Sequence, residues 1–145
     1  MILLKSSNPN GIAYVETKSL DGESNLKHKL AIRDMQDAIL SPADAASING
    51  HIYCDYPDDY LYNFDGLMTI KVKNSTDSFK YSLDHSQLLL RGQSLQGTQS
   101  IYGIVVYTGA ETKIIKHQQA VDYSKIRQSS MEVLMNRFIL YLFLI

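Results

Sequence analysis

The sequence predicts a mainly β domain with short helices, arranged as two antiparallel layers. Three observations carry that expectation. Short runs rich in β-branched and aromatic residues recur along the chain, clearest at Ile12 to Thr17 and Ile101 to Tyr107. Turn-forming residues separate such runs, as at Asp21-Gly22 and Pro57-Asp58-Asp59. A chain of 145 residues with 45% hydrophobic content suffices for one domain burying about two-thirds of its unfolded surface, and not for two.

Ile2-Leu3-Leu4 before Lys5 is far too short an apolar stretch for a signal peptide. Ile12 to Thr17 reads as the first clear strand, running into the turn chemistry of Asp21-Gly22. Ser41-Pro42-Ala43-Asp44 offers a hydroxyl cap followed by proline at the first helical position, so a brief helix is expected through Ile48, closed by Asn49-Gly50. His51 to Tyr56, Leu67 to Val72 and Gln87 to Arg91 are expected strands. Their connections are Pro57-Asp58-Asp59, Lys73 to Ser78 and Gly92 to Gln99. Met131 onward reads as a helix. It ends in the apolar octet 138–145, which is either a buried terminal element or the first half of a membrane helix, since a full span needs about twenty apolar residues.

Composition excludes several function classes. Fourteen basic against fifteen acidic residues, with no long run of one sign, disfavour nucleic-acid binding. The single Cys54 cannot form an intrachain disulfide, which fits a reducing compartment and a small half-buried residue. His28, His51, His85 and His117 lack metal-ligand spacing, so no metal site is expected. Gly92-Gln93-Ser94-Leu95-Gln96-Gly97 misses the serine-hydrolase elbow because its second glycine comes one position late. Asn74-Ser75-Thr76 matches a glycosylation acceptor, a pattern common by chance.

The chemistry concentrates at Asp21-Gly22-Glu23-Ser24. An Asp-Gly pair between strands reads most simply as a hairpin turn. The alternative is a tight, exposed tip on which glycine lets the main chain approach a neighbour and presents Glu23 to another domain's site. The longer run from Tyr14-Val15-Glu16-Thr17 through Leu20-Asp21-Gly22-Glu23-Ser24 to Asn25-Leu26-Lys27 resembles the actuator-domain loop of P-type ATPases, and its flanks are similar to those of the phospholipid flippases, the type IV subfamily. Two further blocks follow in family order. Gln87-Leu88-Leu89-Leu90-Arg91-Gly92, with Leu95 and Thr98, resembles one; the run from Gly103-Ile104-Val105-Val106-Tyr107 to Thr112-Lys113 resembles the other. Leu61-Tyr62-Asn63-Phe64-Asp65-Gly66 is a weaker match between them. Ser24 replaces the more usual Thr but keeps the hydroxyl. Gln93, Gln96, Gly97 and Ser100 depart from the family pattern in ways expected to affect packing or a surface turn, and Arg127-Gln128-Ser129 displaces one basic residue.

The resemblance implies a partial, distorted jelly-roll actuator domain at 1–124, then a linker and truncated start of a transmembrane helix at 125–145. Ile2 to Leu4 would be an internal strand, Met1 an internal residue or a gene-model start, and the chain a fragment. Residues 1–136 would lie on the cytoplasmic side of an integral membrane protein, with Lys125, Arg127 and Arg137 near the membrane face. The resemblance further implies that Glu23 promotes hydrolysis of an aspartyl phosphate formed on another domain, with Gly22 giving room and Asp21 and Ser24 holding the loop. The whole pump would be an enzyme using ATP and Mg2+, a phospholipid substrate, the phosphorylation domain of the same chain and an accessory β-subunit. No nucleic acid is involved, and this fragment would bind neither ATP nor Mg2+. It contains no Asp-Lys-Thr-Gly-Thr signature, so it could not complete the cycle alone. The competing reading is a truncated, non-catalytic binding or regulatory β module. An open sheet edge and an apolar tail predict poor solubility when it is produced alone.

Overall fold

Strand β1 (Ile2–Ser6) organises the core. Alternating side chains of a strand point to opposite faces, and both faces of β1 are covered at its start, where Ile2-Leu3-Leu4 form a continuous apolar run. Ile2 and Leu4 enter one buried cluster with Ile32, Met35, Ile39, Phe64, Met68, Ile70, Leu83 and Leu88. Leu3, between them, enters a second cluster with Ala13, Val15 and Leu89. The computed structural model describes residues 1–71, 78–123 and 130–144.

The remaining strands are β2 (Ile12–Glu16), β3 (Lys27–Leu30), β4 (Asn49–Cys54), β5 (Gly66–Lys71), β6 (Ser78–Leu83), β7 (Ser94–Leu95) and β8 (Ile101–Ile104). They pair antiparallel in three small sheets, ordered β1-β8, β3-β2-β7 and β4-β5-β6. The mainly β expectation therefore holds, with the strands divided among small sheets. β1 and β8 run from Ile2 opposite Ile104 to Ser6 opposite Ile101, with a register shift between Leu3 and Lys5.

Several boundaries differ from expectation for identifiable reasons. Gln87 to Arg91 is not a strand; it meets β1 only at the Ile2–Leu88 bridge. The Leu3 amide donates to the Gln87 carbonyl at 2.9 Å and the Leu89 amide to the Met1 carbonyl at 2.8 Å. The Asp84–Ser86 turn before this segment and Gly92 at φ 90° after it prevent longer pairing. β7 lies inside the expected connection Gly92 to Gln99, and β8 stops at Ile104 rather than Tyr107. The connection expected from Lys73 onward falls outside the described residues except at Ser78, which opens β6. Asn74 and its glycosylation pattern also lie outside them.

The short helices are α1 (Lys18–Asp21), α2 (Arg33–Ala38) and α3 (Pro42–Ala46), and the later ones α4 (Lys113–Tyr123) and α5 (Ser130–Leu144). In α3 the expected cap is a full capping box: Ser41 Oγ accepts from the Asp44 amide at 3.3 Å, and Asp44 Oδ2 accepts from the Ser41 amide at 2.7 Å. The helix ends at Ser47, so Asn49-Gly50 opens β4 instead of closing α3. Gly50 is needed there because a Cβ would stand 2.3 Å from the Thr69 carbonyl oxygen. Gln36 joins α2 to the end of β1, with Oε1 accepting from the Ser6 amide at 2.9 Å and Nε2 donating to the Ser6 and Asn8 carbonyls at 3.0 Å each.

The connection 55–65 is tied to the chain's later part. The Tyr107 hydroxyl donates to the Asp55 carbonyl at 2.6 Å, and the buried Lys113 ammonium pairs with Asp58 and donates to the Tyr60 carbonyl at 3.1 Å. α5 confirms a helix from Met131 onward, one residue longer at its start. Its apolar side chains, including Leu134, Phe138, Leu142 and Phe143, are exposed, which overturns the buried-terminus alternative for residues 138–143. No helix among the described residues is long and apolar enough to cross a membrane. The linker residues Lys125 and Arg127 lie outside the described residues.

Candidate functional site

β2 and β3 pair with Val15 opposite Lys27, so residues 17–26 form a protruding connection. Its first half winds into α1, which stops at Gly22. That residue holds φ 76° and ψ −1°, and its amide donates to the Lys18 carbonyl at 3.1 Å. A left-handed residue with this bond is a helix C-cap, a position glycine fills without a Cβ penalty. Asp21-Gly22 is therefore a helix stop rather than the two-residue turn of a hairpin. A Cβ at Gly22 would meet nothing within 4 Å, so the main chain here faces open space.

The two carboxylates flanking Gly22 have opposite environments. The Asp21 side chain is 16% exposed and that of Glu23 58%. Asp21 Oδ1 accepts from the Glu23 amide at 3.0 Å, bending the chain back over the cap. Asp21 Oδ2 accepts from Lys27 Nζ at 2.5 Å and from the Tyr62 hydroxyl. The same ammonium lies 3.0 Å from the Tyr62 oxygen, 3.1 Å from Glu23 Oε2 and 4.5 Å from the Tyr62 ring centroid. The Lys27 bond, then the Tyr62 bond, hold the Asp21 carboxyl well below the usual carboxylate range. Asp21 in turn raises the Lys27 ammonium above its ordinary value. Burial, then the bond to Asp21, raise the Tyr62 phenol. Near neutrality Asp21 is thus held as a carboxylate, Lys27 as an ammonium and Tyr62 as a phenol around the Glu23 backbone.

The loop's base rests on the segment 90–98. Ser19 Oγ donates to the Gly92 carbonyl at 2.7 Å, the Gln96 amide to the Tyr14 carbonyl at 3.0 Å, and the Tyr14 amide to Thr98 Oγ1 at 3.1 Å. Two of the unusual glutamines act here: Gln93 Oε1 accepts from the Leu90 amide at 2.9 Å, and Gln96 Nε2 donates to Glu16 Oε2 at 3.4 Å. Gln93 thus braces a turn, and Gln96 ties the segment to β2.

Asp21, Gly22, Glu23 and Ser24 therefore lie together on one exposed loop. Sequence reasoning assigned no role to Lys27 or Tyr62. The available signals were the position of Lys27 at the end of Asn25-Leu26-Lys27 and the place of Tyr62 in the block Leu61 to Gly66. Other candidates are dispersed. Ser94 sits in β7 beside Glu16, His51 packs edge-on against Tyr53 with centroids 5.1 Å apart, and His117 Nδ1 lies 2.8 Å from the Asp59 carbonyl. Among the described residues no group of three or more His, Cys, Asp or Glu side chains is placed to hold a metal ion.

No family model matches the chain. Curated proteins do. It is 39% identical over 142 residues to a phospholipid-transporting ATPase of Schizosaccharomyces pombe, and 40% identical over 142 residues to phospholipid-transporting ATPase 1 of Arabidopsis thaliana. It is 34% identical over 142 residues to the phospholipid-transporting ATPase DRS2 of Saccharomyces cerevisiae. Each alignment covers 98% of this chain but only 10% to 11% of the relative, so the chain spans about a tenth of the length of the curated relatives it matches.

Proposed function

This chain belongs to the phospholipid-transporting ATPase family, and from that premise we propose that residues 1–124 are part of the actuator domain of an ATP-driven phospholipid translocase. The observation that carries this reading is the division of labour at the loop: Asp21 is tied down and Glu23 is presented to solvent beside a glycine. In the pump, a carboxylate on the phosphorylation domain receives the phosphoryl group of ATP with Mg2+, both held outside this segment. Glu23 then enters, orients a water and accepts its proton as the water oxygen bonds to phosphorus and the bond to the aspartyl oxygen breaks. Such general-base help contributes about 10²- to 10⁴-fold in rate.

Gly22 leaves the main chain bare where it approaches the phosphoryl group, and Asp21 and Ser24 keep the loop's shape. The exposed apolar side chains of α5 support its entry into the membrane. Arg137 would then lie at the cytoplasmic face, with residues 1–136 on that side. Hydrolysis at the loop would then be coupled through 125–136 to movement of a phospholipid, with an accessory subunit as a further partner of the complete pump. The test is Glu23→Gln in the complete pump. Phosphoenzyme formed from ATP should accumulate while lipid transport stops. Normal phosphoenzyme levels with normal transport would leave the segment as a non-catalytic β module.

A further inference from the structure

We propose that Tyr62, together with Lys27, is a positioning residue for Glu23; the proposal rests on the dephosphorylation role assigned to that glutamate. Tyr62 stands in the connection between β4 and β5, 41 positions along the chain from Asp21, yet its phenol donates to Asp21 Oδ2. That bond leaves Asp21 Oδ1 to accept from the Glu23 amide at 3.0 Å. The loop's backbone is thereby referenced to a second sheet, and not only to the two strands that carry it.

Lys27 completes the arrangement. Its ammonium reaches Asp21, Tyr62 and Glu23 at once, so it neutralises Asp21 and holds the Glu23 carboxylate in a resting ion pair at 3.1 Å. The Glu23 pair is the exposed member of the set and the one that opens at least expense, because a solvated ion pair is weak. The Asp21–Tyr62 bond, made to a better covered carboxylate, stays. Glu23 can thus swing from Lys27 toward a phosphoryl group while its own backbone remains fixed. Loss of the phenol would let the loop's backbone wander, and small misplacements of a reacting group carry large rate penalties.

The experiment is a double-mutant cycle in the complete pump, reading the decay of labelled phosphoenzyme after a chase with unlabelled ATP. Tyr62→Phe keeps the ring beside Lys27 and removes only the hydroxyl. Decay should slow by about three- to tenfold, the equivalent of one net hydrogen bond, with the rate of phosphorylation by ATP unchanged. In a Glu23→Gln background the same substitution should add no further slowing, since Tyr62 acts through Glu23. Lys27→Gln is the second variant and should behave alike. Equal slowing in both backgrounds would mark Tyr62 as merely structural, and normal decay in Tyr62→Phe would remove it altogether. Normal decay in Glu23→Gln alone would instead sink the role of Glu23 on which the proposal rests.

Discussion

Replacing Gly22 by alanine isolates the backbone contribution of the loop. The residue sits at φ 76°, and a Cβ built there meets nothing within 4 Å, so no steric clash enters. What remains is the left-handed penalty for an L side chain, about 1–2 kcal/mol, against a small gain of roughly 0.4–1 kcal/mol from a stiffer unfolded chain. The net expected loss is about 1 kcal/mol. Asparagine tolerates this conformation better, so Gly22→Asn should lose less than Gly22→Ala. Equilibrium urea unfolding in mild detergent reads the difference, using the fluorescence of ten tyrosines without interference from tryptophan. Wild-type stability in Gly22→Ala, or no advantage of asparagine over alanine, would refute the left-handed cap. A loss above about 3 kcal/mol would do so too, because it would require the clash that the open space forbids.

Other consequences are equally specific. Leu3→Ala should lose about 2–5 kcal/mol by urea titration, since Leu3 is fully buried on the face of β1 opposite Ile2 and Leu4. Ser41→Ala should lose about 1 kcal/mol through half of the capping box, seen as an earlier urea midpoint. Lys113→Met should lose about 1–3 kcal/mol by removing the bonds to Asp58 and the Tyr60 carbonyl. Burial pushes the Asp58 carboxyl up, but the bonds from Lys113 and Asn63 outweigh it and hold the group below its usual value. A depressed folded-state value contributes stability above the unfolded pKa of about 4, lost as pH falls below it through the folded value. Urea midpoints measured from pH 6 to pH 3 should therefore fall in acid, and less steeply in Lys113→Met.

What the sequence makes legible follows from which forces are local. β2, β4 and β5 alternate or cluster apolar residues with β-branched neighbours, and each forms within two residues of its expected place. β3, by contrast, reads Lys-His-Lys-Leu, and its single apolar residue makes no strand pattern. It is a strand because β2 pairs with it, and Lys29 is buried with its ammonium donating to the His85 carbonyl at 2.7 Å. Leu88 and Leu89 imitate a strand, yet they serve different core clusters from a segment pinned between two turns. α2 carries only a short signal, Ile32, Met35 and Ile39 at helical spacing, and these enter the first core cluster while Gln36 adds long-range bonds to the β1 backbone.

The same distinction governs the site. Asp21-Gly22-Glu23-Ser24 is contiguous, so its chemistry can be read directly from residue types. Tyr62 is remote in sequence and reaches Asp21 only because the β4–β5 connection folds over the loop. The helix-stop geometry of Gly22 was likewise hidden, since Asp-Gly suits a hairpin turn as well as a C-cap.

The most direct measurement is the single-turnover decay constant of phosphoenzyme in the complete pump carrying Glu23→Gln, measured after an unlabelled chase. The account predicts decay slower by about 10²-fold or more, with the rate of phosphorylation by ATP preserved. Decay at the wild-type rate would contradict it and leave the exposed carboxylate at the loop tip without a part in hydrolysis.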